Sequence, residues 1–111
     1  MEIARGIIDV LDDKKAEDIV LLDISTAFPF SDYFIICSAS STRMINALIK
    51  AAVEKAHQSY GCSGRIEGMS QDGWVLVDFG DVILHVFAPE QREYYKIEDV
   101  WRDAKILLRV Q

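Results

Sequence analysis

Cysteine is scarce in this 111-residue chain, and the two present, Cys37 and Cys62, have no second Cys or His at metal-ligand spacing. A structural zinc site is therefore not expected, and no cofactor motif takes its place. Cys37 sits in an apolar run and Cys62 follows a helix-ending Gly61, so both read as reduced thiols. Long apolar runs are missing as well. Asp or Lys interrupts every stretch before it reaches the roughly 18 residues a membrane helix needs. The opening segment, MEIARGIIDVLDDKKAED, lacks the basic start and apolar block of a signal peptide and the Arg/Ser bias of a transit peptide. A cytoplasmic protein without membrane contact is the simplest expectation. Basic residues number 12 against 18 acidic ones, a net charge of −6. Broad contact with a phosphate backbone needs clustered Lys and Arg, so little direct nucleic-acid contact is expected. Repeats, low-complexity tracts and linkers are absent too, and residues 1–111 read as one domain.

What is present is half apolar and about a quarter charged, as in an ordinary globular chain. Ile3, Ile7, Val10 and Leu11 recur at helical spacing and predict a first helix ending near Lys14–Lys15. DIVLLDI (18–24) and DYFIICS (32–38) are apolar runs of strand length, separated by a loop with Pro29. The stretch 40–61 is the clearest helix. Ser40 or Ser41 can cap it, Met44, Ile45, Leu48, Ile49, Ala52, Val53 and Ala56 make its stripe, and Gly61 stops it. A short strand near Arg65–Gly68 precedes a hairpin over 72–87. Pro89 then starts a helical turn, and Ile97, Val100, Trp101, Ala104 and Leu108 predict a final amphipathic helix. The order α-β-β-α-β-β-β-α implies an α/β domain, a mixed five-stranded sheet flanked by helices.

Carboxylates are plentiful enough that enzymatic chemistry must be tried. Two-metal phosphoryl transfer needs acids converging on a cation pair, often as alternating strand residues. Asp18, Asp23, Asp32, Asp78 and Asp81 offer no D-x-D pair and read as strand-terminal residues. CSASSTR (37–43) lies between strand and helix, where phosphates bind, but it has neither glycine nor lysine. His57 and His85 have no nucleophile attached by motif. No catalytic residue and no metal ligand is assigned, and the chain is not read as an enzyme.

The hairpin DGWVLVDFGDVILHVF is more apolar than a surface hairpin needs. Alternation puts Trp74, Leu76 and Asp78 on one face and Val75 and Val77 on the other. A three-residue loop Asp78-Phe79-Gly80, with Gly left-handed, closes it, leaving Phe79 at the tip for its neighbours or a partner to cover. One reading packs Trp74 and Phe79 as core. The other makes them interface anchors, since aromatic side chains dominate binding hot spots.

Five segments in order, KKAEDIVLLDI (14–24), SDYFIICSASSTR (31–43), IEG (66–68), GWVLVDFGDVILHVF (73–87) and REYYKIEDVW (92–101), resemble the Iojap-related ribosomal silencing factor family over nearly the whole length. The resemblance implies a nucleotidyltransferase-like fold without catalytic carboxylates, and homodimers when free. It implies binding to the large ribosomal subunit through its fourteenth ribosomal protein. That would block association with the small subunit and repress translation under nutrient limitation. Carried onto this chain, the partner-binding residues are Trp74, Asp78, Phe79 and Gly80, with Glu67, Arg92 and Tyr95 beside them. Trp74 and Phe79 are expected to be the anchors, so that Phe79→Glu would abolish binding and leave the monomer folded. The alternative is a nucleotidyltransferase-like metal-dependent enzyme using Asp23, Asp32 or Asp78.

Overall fold

The computed structural model describes residues 2–25, 31–95 and 104–110. Helix α1 (Glu2–Asp13) buries Ala4, Ile7, Ile8 and Leu11 along one stripe. The chain then turns through Lys14 and a left-handed Lys15 into strand β1 (Glu17–Asp23). Strand β2 (Tyr33–Ser38) and helix α2 (Thr42–Tyr60) follow. The hydroxyl of Ser41 caps α2 by accepting from the Met44 N–H at 3.0 Å, and a left-handed Gly61 ends it. Strand β3 (Arg65–Met69) leads through a short 3-10 turn into β4 (Trp74–Asp78) and β5 (Val82–Phe87). Helix α3 (Pro89–Tyr95) and strand β6 (Lys105–Val110) come last.

The strands form one sheet in the order β3-β4-β5-β2-β1-β6. β2 and β5 run parallel, and the other neighbouring pairs are antiparallel. Helix α2, β3 and β4 together make the crossover that a parallel pair demands. The continuous apolar character of β1 and β2 follows from burial on both faces. Ile19, Leu21, Ile35 and Cys37 join α1 and α2 in the larger cluster, whereas Val20, Leu22, Phe34, Ile36 and Phe87 form a smaller one on the opposite face.

Three expectations are corrected. The sheet has six strands rather than five. The predicted final helix over Ile97–Leu108 is not what the described part of that segment forms: Lys105–Val110 is β6, antiparallel to β1 with Leu108 opposite Leu21. Helical spacing of apolar residues there is overridden by the otherwise open outer edge of β1, whose N–H and C=O groups the KILLRV backbone satisfies. Ile97, Val100 and Trp101 lie outside the described residues. The hairpin loop also sits one residue later than expected, since Asp78 still pairs with Ile83.

Candidate functional site

Strand alternation decides which side of the sheet each candidate residue can serve. In β4, Val75 and Val77 point into the helix-covered cluster, and the parity carries through to Phe79, buried in that same cluster. Trp74, Leu76 and Asp78 point to the opposite face and stay half-buried. Trp74 and Phe79 therefore do not form one surface. Phe79 is 7% exposed. Its own chain covers it: a Cβ on Gly64 would stand 2.7 Å from the Phe79 ring and 2.6 Å from Val77. Of the two readings of this ring, core or interface anchor, its burial fits the core one, because the side chain folds back under the hairpin instead of projecting from it. The expectation that Phe79→Glu leaves the fold intact falls with the anchor reading, since a carboxylate would enter the core.

Gly80 is the exposed part of the tip. Its φ is 95°, a left-handed value that an L side chain rarely adopts, and its N–H donates to Asp78 Oδ1 at 2.8 Å. Its carbonyl accepts from the buried Ser31 hydroxyl at 2.8 Å. The turn is thus tied down on both sides, which holds Asp78 at the mouth of the hairpin.

Register brings β3 into the same surface. Arg65 lies opposite Asp78, Glu67 opposite Leu76 and Met69 opposite Trp74. All five β3 residues are exposed, Met69 by 57% and Ile66 by 52%. Arg65 stands 3.6 Å from the Asp78 carboxylate and 3.9 Å from that of Glu67. Exposed pairs like these contribute about 0–1 kcal/mol and chiefly set charge placement. The result is a two-strand surface with Met69, Trp74 and Leu76 as its apolar part and Glu67, Asp78 and Arg65 around them. Alternation already places Leu76 beside Trp74, whereas Met69 and Arg65 join this surface only through the pairing of β3 with β4. That register is not visible in the sequence before the pairing is known.

Trp74 is held from beneath. Its indole N–H donates to His85 Nδ1 at 3.2 Å, and its ring stacks on Phe87 at 5.0 Å between centroids. His85 is 4% exposed and meets Phe34 edge-on at 4.6 Å. Burial pushes its pKa down to about 4, so the ring is neutral and can accept at Nδ1.

Arg92 lies elsewhere and inside. Its guanidinium donates to the Asp18 carbonyl at 2.8 Å and to Ser38 Oγ at 2.9 Å. It belongs to the joint between α3, β1 and β2, and at 8% exposure it is not positioned as a surface neighbour of Trp74. Tyr95 ends α3, and its side chain lies outside the described residues. Of the acidic candidates, Asp23 pairs in register with Tyr33, and the backbone N–H of Asp32 donates to the Asp81 carbonyl at 2.9 Å, so these three approach the same end of the sheet. Asp23 accepts from the Ser25 hydroxyl at 2.6 Å, which lowers its pKa. Among the described residues, no three His, Cys, Asp or Glu side chains are placed to hold a metal ion. No described helix is long and apolar enough to cross a membrane.

A mixed sheet with an exposed strand pair at one edge and two helices packed on one face defines a small α/β domain whose candidate site is a surface rather than an enclosed cleft. The family model described as "Ribosomal silencing factor during starvation" matches residues 1–110. The chain belongs to the ribosomal silencing factor family. It is 39% identical over 95 residues to the ribosomal silencing factor RsfS of Bacillus subtilis, covering 86% of this chain and 80% of that one. It is 33% identical over 99 residues to the mouse protein named for mitochondrial assembly of the ribosomal large subunit, covering 86% of this chain and 43% of that one. A crystal structure from Chromobacterium violaceum superposes with a TM-score of 0.85 at 37% identity, covering 90% of this chain and 83% of that one.

Proposed function

We propose that this chain binds the large ribosomal subunit through its fourteenth ribosomal protein and sterically blocks association with the small subunit, repressing translation when nutrients are short. Family membership supports a role at the ribosome. The observation that carries the site is the surface formed by Met69, Trp74 and Leu76 between Glu67, Asp78 and Arg65, its β3 residues exposed and its β4 residues half-buried, on an edge strand pair. An apolar centre with a charged rim has the anatomy of a protein-docking patch. An excess of carboxylates, net charge −6, favours encounter with a basic ribosomal protein and disfavours misplaced contact with ribosomal RNA. Gly80 and Asp78 shape the lower end of the patch. Phe79 supports it from within by packing under the hairpin, whereas Arg92 anchors α3 to β1 and β2. Blocking requires occupancy rather than chemistry. The same reading places the protein in the cytoplasm and allows a homodimer when it is free.

The test is sedimentation of the purified protein with isolated large subunits, small subunits and reassociated ribosomes. Migration with large subunits alone, loss of joined particles, and failure of a folded Trp74→Ala variant to do either are expected. Equal binding by wild type and Trp74→Ala would move the docking surface elsewhere. A nucleotidyltransferase-like enzyme using Asp23, Asp32 or Asp78 would instead show saturable binding of a nucleoside triphosphate with a divalent ion.

A further inference from the structure

His85 is an odd residue to find where it is. It sits in the middle of β5, on the face with Phe34 and Phe87, and is 4% exposed. A leucine or phenylalanine there would bury no polar atom. His85 instead accepts from Trp74 through Nδ1, which leaves its proton on Nε2. That second nitrogen is buried, and among the described residues it has no hydrogen-bond partner. A buried donor without an acceptor destabilises a fold by an amount comparable to a whole hydrogen bond or more. The fold therefore gains little stability from this histidine, and the asymmetry of its two nitrogens needs another explanation.

Trp74 supplies one. It is half-buried, and its ring is fixed by stacking on Phe87 and by the bond from its indole N–H to His85. An indole can otherwise take several rotamers, and an anchor that must be ordered during binding loses affinity to that ordering.

We propose that His85 is a positioning residue for the Trp74 anchor: its neutral Nδ1 holds the indole in the docking orientation before the ribosomal partner arrives. The affinity part of this proposal rests on the ribosome-docking reading given above, whereas the orientation part does not. His85 touches no partner and acts only through Trp74.

The test uses His85→Leu, which removes the acceptor, and His85→Asn, whose Oδ1 falls near the place of Nδ1. The indole N–H resonance of Trp74, distinguished from that of Trp101 by Trp74→Phe, is followed by NMR in the free protein. Large-subunit affinity is measured beside it, and urea midpoints establish that each variant is folded. His85→Leu should shift the Trp74 resonance, speed its exchange with water and weaken binding about tenfold, equivalent to about 1.4 kcal/mol. Stability should fall little or rise. His85→Asn should restore both resonance and affinity to within about threefold. In a Trp74→Phe background, which has no indole N–H, His85→Leu should weaken binding no further. An unmoved resonance in His85→Leu would overturn the orientation claim. Unchanged affinity despite a moved resonance, or an undiminished loss in the Trp74→Phe background, would overturn the positioning role. If the wild type fails to bind large subunits, the docking reading and this role fall together, and the resonance still decides whether His85 orients Trp74.

Discussion

Arg92 and Asp18 are joined twice, through the Asp18 carbonyl at 2.8 Å from Nη1 and the Asp18 carboxylate at 3.4 Å from Nη2. Asp18 sits at a register irregularity of β1 with φ of 45°, a left-handed backbone that turns its carbonyl away from the regular ladder. The guanidinium collects that displaced carbonyl together with the Ser38 hydroxyl. Arg92→Ala should therefore lower stability by about 2–4 kcal/mol, because it strands a buried hydroxyl and a part-buried carbonyl rather than merely deleting a surface charge. Urea denaturation checks this, and a change under about 0.5 kcal/mol, the scale of surface substitutions, would refute the clamp.

Phe79 behaves as core. Phe79→Ala should cost about 3–5 kcal/mol, the usual range for a buried ring, and Phe79→Glu should cost at least as much. Thermal melting reads both. A Phe79→Glu protein that melts with the wild type would mean the ring is not buried.

Stability should depend on pH through His85. The folded state holds its pKa at about 4, against 6.5 for an ordinary histidine, because burial disfavours the cation. The unfolded chain takes up a proton as pH falls through about 6.5, and the folded chain does not until about 4. Stability is therefore at its full value above pH 6.5 and falls on the way down to pH 4, by roughly 3 kcal/mol in all. Urea midpoints compared between wild type and His85→Leu should diverge across that window and run parallel above it.

The two thiols should separate cleanly. Cys37 is fully buried and its pKa is pushed up to about 12, so it is a neutral thiol at any working pH. Cys62 is partly exposed. Native protein should take up one equivalent of a maleimide at Cys62, and urea-unfolded protein two. Rapid labelling of Cys37 in the native state would contradict its place in the core.

Both apolar strands and the long helix were legible because each carries its own local signals. β1 and β2 are apolar on consecutive residues, which a strand requires only when both faces are covered, and Ser41 and Gly61 bracket α2. β6 was misread because Ala104 and Leu108 fall at helical spacing, whereas the reason for a strand lies in β1, far back in the chain. The anchor reading of Phe79 does not fit its burial, for a related reason. A ring beside a turn looks exposed, yet the alternation already read for Val75 and Val77 carries it to the core side. Trp74 was found as a candidate, but its histidine support comes from the β4–β5 pairing that puts Leu76 opposite His85.

The place of β6 also sets a schedule for folding during synthesis. Leu21 of β1 is made early and waits for Leu108, its partner across the sheet, until almost the whole domain has left the ribosomal tunnel. Until then β1 presents an open apolar edge, and closing so large a loop comes late and slowly. A nascent chain stalled before β6 should be more sensitive to protease than the completed domain. A ribosome pausing within β6 would hold a copy whose sheet still ends at β1.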